Sequence, residues 1–222
     1  MKYVIVILLN IGLLAFIGCS QSKTVAPDSQ QEQNMEVQSN VVEQLNAMIK
    51  EKDSGFTKLS QEDQQWIQGL IAPKVAKTAE SQITYVTGVI DFSPWTQIDP
   101  GTVWFDNNGL MHIEGQKNRY PVTGGTAGWS DITTNWIINP VTFNGFGWGP
   151  FVFNGECTSC PGSLSGTFQG FAFAQMTAGI LTGGFVSKGN GGFDDMYYLG
   201  IFQQTTSGPD PVLMNYQGLV VD

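Results

Sequence analysis

The stretch 144–176, NGFGWGPFVFNGECTSCPGSLSGTFQGFAFAQM, limits the folds open to this chain more than any other. Its two halves are built from aromatics and glycine, and a tip carrying Cys157, Cys160 and Pro161-Gly162 separates them. Aromatic residues favour strands and Pro-Gly favours a turn, so the stretch predicts a long β-hairpin. The glycines add a condition. Gly166 and Gly170 lie on one side of a strand, and Gly145, Gly147 and Gly149 precede the matching strand. A strand lacking side chains at such points coils tightly or lets another group approach. Closing a sheet of about eight strands needs that coiling, so the hairpin is expected inside a closed sheet.

From Gln82 onward the hydrophobic period is two. Strands are predicted over 83–92, 102–105, 110–115, 131–138, 148–154, 163–173, 180–187, 195–203 and 214–221. Turn chemistry separates nearly every pair. Asp106-Asn107-Asn108-Gly109 is one example, its Asn-Gly step supplying positive φ. About nine such strands read as an all-β fold, an antiparallel barrel or sandwich over 82–222, and the glycines favour the barrel. The chain holds 27 Gly and 14 Phe with only 13% charged residues, which suits many short strands and tight turns. The formal net charge of −9 argues against nucleic acid as a partner, because phosphate neutralisation needs clustered Lys and Arg.

The N-terminal part reads differently. Met1-Lys2 precedes an almost unbroken apolar run, Tyr3 to Ile17, of signal-peptide length. The run closes on Phe16-Ile17-Gly18-Cys19, which resembles the lipobox of bacterial lipoproteins, with Phe16 where Leu is usual. The resemblance implies a lipoprotein signal peptide over 1–18 and lipidation of Cys19. That would place the protein at the bacterial cell envelope, held to a membrane on its extracytoplasmic side. Residues 19–34 are too polar to bury surface and are expected to be a disordered tether. A helical segment is expected over 35–80. Val41, Val42, Leu45, Met48 and Ile49 form one apolar face; Trp66, Ile67, Leu70 and Ile71 form a second. Ser60 and Asp63 make a capping-box-like start for the second helix; Pro73 limits it, although a helix could resume through Val75 and Ala76.

An ordered series of glycine steps runs through the predicted strands. Gly101-Thr102 comes first, then Gly109 with Met111-His112-Ile113-Glu114-Gly115, then Asn144-Gly145-Phe146-Gly147-Trp148-Gly149. Ser165-Gly166-Thr167-Phe168-Gln169-Gly170 and Gly191-Gly192-Phe193 with Leu199-Gly200 complete it. Over about 83–205 this order resembles a group of bacterial secreted β-barrel proteins related in fold to the plant allene oxide cyclase barrel. Glu114 stands where an Arg is common in that group. The resemblance implies an eight-stranded barrel with an interior lined by side chains or sized for a ligand. It implies no activity and carries over no catalytic residue.

Few residues offer chemistry. Cys157-Thr158-Ser159-Cys160 has no helix behind it to activate a thiol and no further His or Cys to complete a zinc site. It reads as a disulfide closing the hairpin tip, which an oxidising compartment permits. His112, the sole histidine, shares a strand face with Glu114. The pair reads as wet-side neighbours, acid–base work being the alternative. Asp194-Asp195 reads as a solvated turn, with calcium binding as the alternative. Most tryptophans are expected in the core; Trp95 and Trp129, flanked by Gly or Pro, are the ones expected to be exposed.

No catalytic constellation, cofactor or metal site is expected. Three functions remain in view: an anchored, non-catalytic barrel binding a small apolar ligand or a surface partner; a cyclase-like enzyme; and a glycan binder using exposed Trp. The His112, Glu114, Trp95 and Trp129 side chains are the candidate ligand contacts. The cyclase-like reading requires an interior cavity of a few hundred Å³, the size of ordinary ligand sites.

Overall fold

The computed structural model describes residues 27–51, 54–76, 82–93, 96–205 and 212–222. Ten strands follow two helices: β1 (Ile83–Asp91), β2 (Thr96–Asp99), β3 (Thr102–Phe105), β4 (Met111–Gly124), β5 (Thr126–Asn139), β6 (Asn144–Cys157), β7 (Leu164–Thr177), β8 (Ile180–Gly191), β9 (Tyr197–Gln204) and β10 (Leu213–Val221). Strands β4 to β10 form an antiparallel meander, and β1 pairs with β10 on one side and β4 on the other. Eight strands therefore close into a ring. The predicted all-β barrel is the observed fold.

The closing seam is uneven. β4 is paired with β5 along one edge. Its other edge is shared by three strands in turn: β3 against 111–114, β2 against 117–119 and β1 against 122–124. Pro121, which has no N–H to give a ladder, falls between the stretches taken by β2 and β1. A bulge between Ile113 and Gln116, with Gly115 at φ 70°, re-aims β4 where β2 gives way to β3.

Two helices cover part of the outer wall: α1 (Pro27–Lys50) and α2 (Gln61–Ala76), joined through a 3-10 turn at Gly55–Lys58. Their apolar faces are buried as expected, with Val41, Leu45, Ile67 and Ile71 packed against outward side chains Phe173, Val186, Leu199 and Val221. Phe56 meets Phe173 edge-on, and Trp66 meets Phe171. The α2 cap forms as predicted: the Asp63 N–H donates to Ser60 Oγ, and the Ser60 hydroxyl donates to the Asp63 carboxylate.

Several strands run longer than expected, β4 to Gly124 and β5 from Thr126 among them, β2 is an added strand, and the start of the first helix also differs. α1 begins at Pro27 and so takes in 27–34, which composition reads as tether. Proline suits the first helical position, and the Gln/Glu run after it consists of good helix formers. α2 continues past Pro73 to Ala76, the resumption that the sequence allows. The signal segment and Cys19 lie outside the described residues.

Candidate functional site

The barrel interior is built from aromatics laid across glycines. Trp136 faces Gly147 across the β5–β6 ladder, and a Cβ on Gly147 would come within 2.6 Å of its ring. Phe202 lies over Gly183, Phe185 over Gly200 and Tyr216 over Gly88 in the same manner, each pair directly in register. A small barrel has too little radius for a large side chain on every strand. Pairing each aromatic with a bare neighbour solves this, and it accounts for the glycine richness more directly than bending alone.

One end of the barrel is closed. Phe168 and Phe193 stack at 4.3 Å, and Tyr198 packs on Phe168 at 5.2 Å, all three buried. The tip of the β6–β7 hairpin lies beside them, pinned by the Cys157–Cys160 disulfide with its Cα atoms 5.3 Å apart. The predicted clasp is thus present. The Thr158 hydroxyl donates to Gly124 O at 3.0 Å and the Ser159 N–H to Gly125 O at 3.2 Å, which ties the tip to the β4–β5 turn. Polar groups here satisfy one another: Thr126 Oγ1 lies 2.8 Å from the Tyr216 hydroxyl and 3.4 Å from that of Tyr198. Burial pushes the Tyr198 phenol well above the ordinary tyrosine range, with the neighbouring Tyr216 adding to the shift, so it stays neutral.

Toward the other end the packing loosens. A cavity of about 90 Å³ runs from Phe153, Tyr198 and Tyr216, all buried, to Ile90, Phe92, Trp136 and Phe202, all only half-buried. None of its lining residues carries a charge. It is an apolar blind channel open at one end. It can solvate hydrocarbon.

The rim of that open end is also apolar. The cross-strand rows Val103–Ile113–Trp136 and Phe105–Met111–Ile138 carry the inner wall outward onto the β3–β4 ribbon. Val103 and Phe105 on this ribbon are 54% and 62% exposed. The adjoining β5–β6 turn presents Val141 at 85% and Phe143 at 57%. Turns ordinarily carry Gly, Pro, Asn, Asp and Ser. Val141 and Phe143 inside Asn139-Pro140-Val141-Thr142-Phe143-Asn144 were therefore a sequence signal for this rim. Trp136, Phe202 and Ile90 gave no such signal, because facing the cavity depends on cross-strand register.

The residues singled out in the sequence do not assemble into one site. His112 and Glu114 both point off the β3–β4 ribbon, but the carboxylate at the imidazole belongs to Asp106, with Oδ2 3.3 Å from His112 Nε2. Hydrogen bonds from the Leu110 and Asn108 amides, together with His112, hold the Asp106 carboxyl below the usual range. Trp104, expected in the core, stacks on His112 at 5.0 Å with its ring partly exposed, because β3 lies beyond the barrel body where no second layer covers it. Trp129 is exposed as expected. It lies on the outer wall beneath Arg119, whose guanidinium is 5.5 Å from the ring and binds Asp131 through two bonds of 2.6 and 2.8 Å. That bidentate contact lowers the Asp131 pKa and raises that of Arg119. Trp95 lies outside the described residues. Asp194 and Asp195 sit in the β8–β9 turn, and no group of three metal-ligating side chains occurs among the described residues.

No family model and no curated protein sequence matches the chain. The cyclase-like reading requires an interior cavity of a few hundred Å³. The aromatics fill most of that volume, leaving about 90 Å³.

Proposed function

We propose that this protein is a non-catalytic, lipid-anchored, extracytoplasmic β-barrel that holds the end of a slender apolar ligand in its blind channel. One observation carries this reading: an uncharged channel, apolar along most of its wall, ends blindly at buried Tyr198 and Tyr216 and opens between Trp136, Phe92 and Phe202. Its size selects the occupant. At about 90 Å³ it is smaller than a 150 Å³ cavity that takes benzene, and well below drug-sized sites. Such a space suits the tip of an unbranched aliphatic chain and rejects fused rings. The lipobox-like sequence at Cys19 supports the anchor, and the Cys157–Cys160 bond supports an oxidising compartment.

The test uses dodecanoate as the probe and tryptophan emission as the readout. Addition of dodecanoate should shift the emission of the wild-type chain. W136F should remove that shift, and A174F, which fills the channel from β7, should abolish binding. A sterol should neither shift the emission nor compete. Wild-type emission unchanged by dodecanoate would rule the reading out.

A further inference from the structure

The apolar rim bears on where the ligand comes from. Among the described residues, the large exposed hydrophobic side chains are Ile98, Val103, Trp104, Phe105, Trp129, Val141 and Phe143. Five of these seven, all but Ile98 and Trp129, lie on β3 and the β5–β6 turn, at the end where the channel opens. Exposed apolar groups concentrated in this way mark an interaction surface.

The backbone of the β5–β6 turn points the same way. Phe143 has φ 53°, a left-handed conformation that suits Asn or Gly and is costly for a bulky residue. Asn139 holds the turn in this shape: its side-chain oxygen accepts from the Val141 and Thr142 amides, and its carbonyl accepts from the Phe143 amide at 2.9 Å. The next turn joins in, with the Gly179 N–H donating to Phe143 O at 3.1 Å and the Ala178 N–H to Asn144 Oδ1 at 2.7 Å. The turn therefore spends backbone strain and exposes Phe143 at once. The exposed Phe143 ring buries nothing in the fold, whereas left-handed backbone also occurs in other turns, at Ser163, Ala178 and Asp195.

We infer that this end of the barrel inserts its turn-tip side chains into the surface of a lipid bilayer. The inference rests on the channel reading and names the ligand's source: an acyl chain drawn from the membrane. Three observations favour a bilayer over a protein partner. The side chains project from two separate places, the β3 edge ribbon and the β5–β6 turn, which suits a fluid surface better than a shaped one. The turns 106–110, 139–144 and 177–180 hold one charged residue, Asp106, and no Lys or Arg. The channel opens at this same end of the barrel, so hydrocarbon would reach it without crossing water. With a net charge of −9 the protein gains nothing from anionic lipid, so the contact is apolar and forms on zwitterionic bilayers.

The test uses the full chain carrying Cys19→Ser, with a nitroxide on V141C, in phosphatidylcholine vesicles. The disulfide leaves Cys157 and Cys160 unreactive. On vesicles, collisions of the label with oxygen should rise and those with a water-soluble nickel chelate should fall. A label on D194C, exposed in the β8–β9 turn at the closed end, should show no change. A V141C label still open to the chelate on vesicles overturns the inference, as does equal protection at both sites. Capture of this end by a protein or a second copy would appear as immobilisation of the label without vesicles, and that result also overturns it. Dodecanoate binding in vesicle-free solution tests the channel separately, so failure of one reading is distinguishable from failure of the other.

Discussion

The two ends of the barrel use similar residues to opposite effect. At the closed end Phe168, Phe193, Tyr198 and Tyr216 are buried, and the hydroxyls are hydrogen-bonded. At the open end Val103, Phe105, Val141 and Phe143 face solvent. The same apolar chemistry stabilises the fold at one end and gains nothing from it at the other. Hydrophobic content alone therefore does not locate a core; the neighbours across the ladder do.

That contrast can be broken by measurement. The largest effect is expected from Phe168→Ala, which should cost about 3–5 kcal/mol as a large buried ring is lost. The urea midpoint at unchanged m-value reads it. Removing both cysteines as C157A/C160A should cost about 2 kcal/mol, the chain-entropy contribution of so short a loop. Thermal unfolding with and without reductant checks this, and the effect should vanish when the wild type is reduced.

Tyr198→Phe should cost about 1 kcal/mol at neutral pH, the scale of one hydrogen bond. Its pH signature is more telling. The folded chain holds this phenol protonated above the ordinary value of about 10, while the unfolded chain ionises there. Stability is thus unaffected below about pH 10 and falls as pH rises from there toward the folded pKa. The alkaline decline should be shallower in Tyr198→Phe; identical curves would contradict the burial argument.

At the open end the sign reverses. Phe143→Asn should stabilise by up to about 1 kcal/mol by relieving the left-handed backbone, while reducing vesicle contact. Phe105→Ala should change stability by less than about 0.5 kcal/mol. A large loss from either would show that this end is structural and would remove the contrast.

Much of the barrel was legible in the sequence because its signals are local. The period-two strands, the turn at Asn108-Gly109, the Ser60–Asp63 cap and the Cys157–Cys160 clasp each depend on neighbours in sequence. The second half of β4 was not. Gln116-Lys117-Asn118-Arg119-Tyr120-Pro121 falls outside the predicted strands, and it is a strand because β2 and β5 pair with it. Asn118 illustrates how strongly context governs this stretch. It is buried on β4, and its Oδ1 is the one buried side-chain polar atom without a partner among the described residues. The channel was illegible for a related reason. Trp136 and Gly147 look alike whether they face in or out until the register of β5 on β6 is known.

The seam has a consequence for the order of assembly. β4 to β10 are joined strand to strand by hairpins, so each can add to the last as it emerges during synthesis. β1 is the exception. It pairs with β10 from Ile83–Val221 to Asp91–Leu213 and with β4 over only three residues, Gly88 to Ile90. It must therefore wait, already made, while the rest of the wall is delivered. Until β10 arrives, two sheet edges and the inward face of Tyr216's partner strand remain open, and the barrel is vulnerable to pairing with other chains. Ring closure is then the slow, entropy-limited step, and the chain's first strand is the last to be seated.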